Sequence, residues 1–257
     1  MNFENAPFFV LLAVRLGGLV LSAPIFGNSV LPGPLRAALA LLLTILFAPL
    51  AGAPPAEAWT AGAFVLAAGA EFAVGLLIGF TASLLFAAVR MAGQLADQDM
   101  GLSISTVLDP SSEEPVAVVS QFQTLLALIV YLAVNGHHIL LSSVAESLRA
   151  VPVGGGFAVA GASPGLVGDM AGKLFVVGLT LAIPALATLF LVTVAMAFLA
   201  RAVPEMNLLT LGYPLRTLVG LAALAVSVGF FVRVFAKLAA DQEGILRGLV
   251  GMIGGKP

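Results

Sequence analysis

Long stretches without any charged side chain are the feature that most restricts how this chain can fold. Uncharged and mainly apolar runs occupy residues 37–56, 72–89, 115–145, 174–200 and 217–232, and residues 5–35 are interrupted only by Arg15. A helix needs about 20 apolar residues to cross a hydrocarbon layer of about 30 Å. A β-barrel is disfavoured because its strands would alternate in segments of about 10 residues. The sequence therefore predicts an all-α, polytopic membrane protein of about six hydrophobic helical segments.

The composition of the chain argues against several classes of function. Of 257 residues, 60% are hydrophobic and 9% are charged, and the formal net charge of -2 provides no basic surface for nucleic acid. Disulfides and thiolate metal sites are excluded because the chain has no cysteine. Walker and HExxH motifs are absent from the sequence. We therefore expect no enzymatic activity, no nucleotide hydrolysis and no cofactor.

Prolines and glycines indicate short, bent helices. The segment that starts near Leu35 should end before Pro49, and about 14 helical residues reach only about 21 Å, too short to span alone. Pro184 predicts a kink in the fifth apolar run. Residues 150–168 are rich in glycine and uncharged, so we expect a flexible connector there.

Two charges, Arg15 and Glu71, lie inside apolar segments. Insertion of an isolated charge at the centre of a membrane helix costs about 2.5 to 3.5 kcal/mol. We hypothesise that each is satisfied inside the protein, by the other charge or by other groups, in a structural role in assembly. Gly75 and Gly79, four positions apart and shortly after Glu71 in the sequence, are candidates for close helix packing.

Possible metal ligands do not have a metal-site spacing. Adjacent helical positions such as His137 and His138 point about 100° apart, so they cannot clasp one ion together. Asp97, Asp99 and Asp109 do not fit a calcium-loop pattern, and a solvated connection between helices explains them equally well. No metal site is predicted.

One polar segment, GQLADQDMGLSISTVLDPSSEEPV at residues 93–116, interrupts the apolar chain. Pro115 fits the first turn of a helix, which would begin near residues 112–114 and leave residues 101–111 outside regular helix. Within this loop, large aliphatic residues are interleaved with serine and threonine. An ordinary connector and a loop in a protein-lined cavity both remain open, since irregular backbone at membrane depth is tolerated beside protein or water.

Four blocks of sequence, in order, resemble the FliR/SctT family of type III export-gate proteins, flagellar in FliR and virulence-associated in SctT. The blocks are VRLGGLVLSAPIFGNSVLPGPLRAALALLLTILFAP (14–49), QLADQDMGLSISTVLDPSSEEPV (94–116), SQFQTLLALIVYLAVNGHHILLSSVAESLRAVPVG (120–154) and RAVPEMNLLTLGYPLR (201–216). The family-motif residues within them are Asn135, Gly136, His137, Pro204, Glu205, Asn207, Gly212 and Pro214. Each string alone is weak, whereas their shared order is specific.

The resemblance implies a place in a larger assembly. It implies a helical export gate, built with FliP-like and FliQ-like subunits and an FlhB-like subunit, which passes unfolded flagellar subunits across the bacterial inner membrane at the basal body. The chain, residues 1–257, would be one domain of kinked hairpins, with a FliP-like N-terminal part and a FliQ-like hairpin at about residues 170–240. The alternatives are an SctT-type injectisome protein and a secondary transporter, which would need related halves and coupling carboxylates.

The resemblance also places a channel plug, at residues 100–111, in the polar segment. The residues that it assigns to this gating loop are Gly101, Leu102, Ser103, Ile104, Ser105, Thr106, Val107, Leu108, Asp109 and Pro110. The aliphatic side chains would exclude water from the closed conduit, because hydrophobic constrictions gate by dewetting.

Overall fold

The computed structural model describes residues 6–26, 32–52, 60–102, 117–155, 165–202 and 208–254, and within these ranges the regular structure is entirely helical. The helices described are α1 (Ala6–Ser22), α2 (Gly33–Phe47), a 3-10 turn (Ala48–Leu50), α3 (Ala61–Asp99), α4 (Val118–Ala133), α5 (Gly136–Ala150), α6 (Gly165–Ala202) and α7 (Leu208–Ile253). The prediction of an all-α membrane-class fold is confirmed.

Three stretches in the described part are long and apolar enough to cross a membrane: Gly33–Leu50, Ala61–Asp99 and Pro214–Ile253. Two bent helix pairs bring the number to five if each pair counts as one span. The expectation that the second segment is too short to span is wrong. The 3-10 turn continues α2 to 18 residues, since Pro49 sits in the first positions of that turn, where its missing N–H is not needed.

Bends divide two of the apolar runs. Asn135 has a left-handed backbone (φ 57°) and separates α4 from α5, which are bent by 63°. The predicted kink at Pro184 is present, because Val176–Pro184 and Leu186–Phe198 within α6 are bent by 53°. A proline removes a backbone hydrogen bond and clashes with the preceding turn, which explains the second bend.

One predicted boundary is wrong: helix α6 begins at Gly165, so the end of the expected 150–168 connector is helical. Helix α4 begins at Val118. The predicted helix start near residues 112–114 lies outside the described residues.

The chain divides into two compact units. Unit 1 comprises Met1–Leu84, Leu132–Asp169 and Ala239–Pro257, and unit 2 comprises Leu85–Tyr131 and Met170–Leu238. In unit 1, α1 packs against α2, and Leu12, Leu16 and Leu19 of α1 are buried.

The core of unit 2 contains an aliphatic cluster and an aromatic group. The buried members of the cluster are Ala96, Met100, Val119, Leu189 and Leu224, which come from α3, α4, α6 and α7. Phe86 packs edge-on against Tyr131 and Phe235, with ring centroids 5.5 and 5.7 Å apart.

Candidate functional site

The two charges inside the apolar segments contact each other in unit 1. Arg15 of α1 and Glu71 of α3 are both buried, and the Arg15 Nε donates a hydrogen bond to Glu71 Oε2. The structure thus brings together two residues that are 56 positions apart in the sequence. Their role in assembly with other chains stays a prediction.

The remaining polar atoms of this pair hold the end of α5. Arg15 Nη2 donates to the carbonyl oxygen of Val151 at 3.0 Å, and Nη1 donates to Ser147 Oγ at 3.4 Å. The Gly154 N–H donates to Glu71 Oε1 at 2.9 Å. A buried ion pair stabilises a fold only when its remaining hydrogen-bonding groups are satisfied. Here the pair joins α1, α3 and the turn that follows α5.

Glycines allow α3 to approach α1 closely enough for this pairing. A Cβ on Gly75 would lie 1.8 Å from the Arg15 carbonyl oxygen, and a Cβ on Gly79 would lie 2.1 Å from Ser22 Oγ. No side chain fits at these distances. The Gly75 and Gly79 spacing therefore brings two helices of this chain together, as small-residue spacings do in membrane proteins.

The polar segment begins with a helix-ending motif in unit 2. Gly101 has φ 75°, its N–H donates to the Gln98 carbonyl at 3.0 Å, and the Leu102 N–H donates to the Asp97 carbonyl at 3.0 Å. These two bonds around a left-handed glycine form a Schellman motif, which satisfies the last carbonyls of α3. Leu102 packs against the buried aliphatic cluster. The first two residues of the expected plug therefore end α3.

The rest of the expected plug lies outside the described residues. These residues are Ser103, Ile104, Ser105, Thr106, Val107, Leu108, Asp109 and Pro110.

Asp97 is a structural residue that the sequence reading missed. It is buried, and its carboxylate accepts hydrogen bonds from the backbone N–H groups of Val119 and Ser120, each at 3.0 Å. The interpretation of the acids as solvated is correct for Asp99, which is exposed, and wrong for Asp97. The position of Asp97 on the helix could have indicated its burial, because Asp97 shares a face with Gly93 and Met100, both of which are buried.

The motif around the first bend combines a strained turn with two imidazoles. Asn135 precedes the buried Gly136, and the rings of His137 and His138 lie 4.4 Å apart. His137 Nδ1 is buried without a hydrogen-bond partner among the described residues. Among all the residues that the structure describes, no three His, Asp or Glu side chains are grouped so that they could hold a metal ion.

The second family motif lies at the start of α7. Gly212 is buried beside Met196, whose Cε would be 3.3 Å from an added Cβ, and Pro214 lies inside the helix. Pro204, Glu205 and Asn207 lie outside the described residues.

Comparison with known proteins covers most of the chain. Residues 6–241 match the family described as bacterial export proteins, family 1. The flagellar biosynthetic protein FliR of Escherichia coli K12 is 32% identical over 88% of this chain and 85% of its own length. The FliR protein of Bacillus subtilis 168 is 29% identical over 96% of both chains, and that of Aquifex aeolicus is 26% identical over 83% of this chain and 82% of its own length.

Proposed function

The chain belongs to family 1 of the bacterial export proteins, and we propose from this membership that it is a membrane-embedded component of the flagellar type III protein export apparatus. The observation that carries the proposal is the family match over residues 6–241, together with FliR relatives aligned over most of both chains. The apolar helices support a place in the membrane.

At finer detail, we propose that the chain assembles with FliP-like and FliQ-like subunits, and with an FlhB-like subunit, in the inner membrane. The length of α7 supports an assembly. Its part Pro214–Ile253, which contains the apolar window, has 40 residues and corresponds to about 60 Å of helix, twice the hydrocarbon layer of about 30 Å. Leu215 near one end is 43% exposed and Met252 near the other is 46% exposed. Because lipid tails cannot cover both ends, helices of other subunits are the natural cover.

A narrow apolar seam on α4 supports the same proposal. Its exposed members recur at intervals of three or four positions and are Val118, Phe122, Leu125 and Ile129. Such spacing presents one line of side chains to a neighbouring helix, as in helix–helix seams. We propose that a partner helix packs along it.

In this assembly the chain would act as one domain with a FliP-like part and a FliQ-like part. The region of about residues 170–240, which holds most of α6 and α7, would correspond to the FliQ-like hairpin, and the part before it to FliP. Its role would be to form the passage for unfolded flagellar subunits. Energy would come from partner subunits or from the proton-motive force.

We propose that residues 101–110 seal the resting conduit. The Schellman motif at Gly101 and Leu102 supports this proposal because it attaches the start of the segment firmly to α3. The sealing side chains would be Ile104, Val107 and Leu108, since Leu102 already packs against the cluster. Their aliphatic surface would keep water out of a narrow passage.

Secretion in a deletion strain tests the export role. Loss of the chain should abolish flagellar filaments and motility, and the full chain supplied from a plasmid should restore both. Export of filament subunits at the normal level without the chain would overturn the proposed function.

Glycine substitution tests the seal. The variant I104G/V107G/L108G should assemble normally but make the membrane permeable to small ions, measured as loss of membrane potential in cells. S103G/S105G/T106G is the matched control, because it adds three glycines to the same segment and removes no aliphatic group. Equal ion permeability in the two variants would reject the sealing role.

The alternatives have less support. The relatives above carry flagellar names, which favours flagellar export over an SctT-type injectisome. A secondary transporter needs a carboxylate free to couple to substrate or ion. Glu71 is instead engaged by Arg15 and by the Gly154 N–H.

A further inference from the structure

The start of α4 is held by a residue of α3. The first N–H groups of a helix have no partner within the helix. Ala117, which precedes α4, has a methyl side chain and cannot accept a hydrogen bond. The two carboxylate oxygens of Asp97 instead accept from Val119 and Ser120, one oxygen each, at 3.0 Å. Since Asp97 is 1% exposed, these bonds are shielded from water, and the helix dipole favours the negative charge.

Two further contacts seat α4 on the same face of α3. Ser120 Oγ donates to the Arg90 carbonyl at 3.1 Å. At Gly93, an added Cβ would lie 2.3 Å from the Cα of Ser120, so the two backbones are in direct contact. Arg90, Gly93 and Asp97 are three and four positions apart and lie on one side of the helix.

Asp97 also takes part in ending α3. Its carbonyl oxygen accepts the Leu102 N–H at 3.0 Å, and the neighbouring Met100 carbonyl accepts from Thr217 Oγ1 at 2.9 Å. One residue therefore holds the last turn of α3 through its backbone and the first turn of α4 through its side chain.

We propose that Asp97 is a positioning residue that fixes the start of α4 on the end of α3, and that protein export depends on this fixed junction. A side chain that only capped the α4 N–H groups, without a link to α3, would not be sufficient for export. The attachment of α4 to α3 through Asp97 is argued from the hydrogen bonds alone, whereas its consequence for export rests on the proposed function.

Amide hydrogen exchange of the full chain in lipid nanodiscs tests the attachment. In D97N the side chain keeps its size but loses its charge and one acceptor oxygen, so one buried N–H is left without a partner. Peptides that contain Val119 and Ser120 should exchange about tenfold faster or more. D99N is the matched control, since Asp99 is exposed on the same helix, and its exchange should equal that of the unmodified chain. Unchanged exchange in D97N would overturn the attachment whatever the chain does in export.

A local cap separates positioning from capping. In D97N/A117D, the new carboxylate lies next to the free N–H groups of α4 but gives no link to α3. Protection of the Val119 and Ser120 amides from hydrogen exchange should return. Motility and filament-subunit secretion, which D97N should reduce, should stay reduced in the double variant. Where D97N alone does not accumulate in the membrane, this double variant is compared directly with the unmodified chain. Restoration of secretion to the unmodified level by A117D would show that Asp97 is only a cap and would overturn the proposal.

Discussion

Arg15 and Glu71 are each acceptable inside unit 1 because the other is present. Every charged oxygen of Glu71 and every terminal nitrogen of Arg15 has a hydrogen-bond partner, including backbone groups of Val151 and Gly154. Removing one partner leaves a buried charge uncompensated, which is far more unfavourable than losing an ion pair at the surface.

We expect R15A and E71A each to lower the free energy of unfolding by about 3 to 5 kcal/mol, because each leaves one buried charge without its partner. Unfolding in detergent and the amount of protein in the membrane measure the effect. R247A is the control, since Arg247 is exposed and its ion pairs with Glu146 and Glu243 lie at the surface. The charge-reversed pair R15E/E71R should recover part of the loss and not all, because Ser147 and Val151 then face a carboxylate that cannot donate to them. Native-like stability of either single variant would contradict the buried pairing.

Glycine positions on α3 differ in what surrounds them, and substitutions can separate packing from helix propensity. G75A should destabilise the chain by about 1 to 3 kcal/mol, because the methyl group would overlap the Arg15 carbonyl. G69A is the matched control: an added Cβ there meets nothing within 4 Å, so alanine should be neutral or stabilising by up to about 1 kcal/mol. Thermal unfolding of both variants measures the difference, and equal effects would mean that α1 and α3 do not touch at Gly75.

At the level of helices, the features that follow from local chemistry could be predicted from the sequence. The apolar runs and the bend at Pro184 depend on the side chains of one segment. The junction between α3 and α4 could not be predicted in the same way. The N–H of Val119 at the start of α4 is bound by Asp97, which lies 22 positions earlier in the sequence. Asp97 and Asp99 are the same residue type two positions apart, and only the packing of α4 distinguishes them. Ala117 offered no local cap from which the start at Val118 could be recognised.

The turn between α4 and α5 depends on a left-handed residue. Asparagine adopts this conformation more readily than other residues with a Cβ, and glycine adopts it freely. N135G should therefore leave stability almost unchanged, while N135V should lower the free energy of unfolding by about 1 to 2 kcal/mol. Denaturant unfolding of the two variants in detergent measures this difference. A valine variant as stable as the glycine variant would mean that the backbone at residue 135 is not left-handed.

At the scale of the whole molecule, the length of α7 bears on what covers its exposed apolar side chains. Leu215 and Met252 are separated by 37 positions, about 55 Å along a helix, so lipid tails about 30 Å thick reach at most one of them when the helix crosses upright. We propose that neighbouring subunits of the export apparatus provide the additional cover, and that the chain is one part of a conduit.

Site-specific photocross-linking in motile cells tests this claim most directly. A photoreactive residue is placed singly at Leu215 or Met252, with the buried Phe235 as the control position that should give no link to another subunit. We expect FliP-like or FliQ-like chains to be captured from at least one of the two ends. Capture of no other protein from either end, in cells that still swim, would contradict the account of α7 as an assembly surface of an export gate.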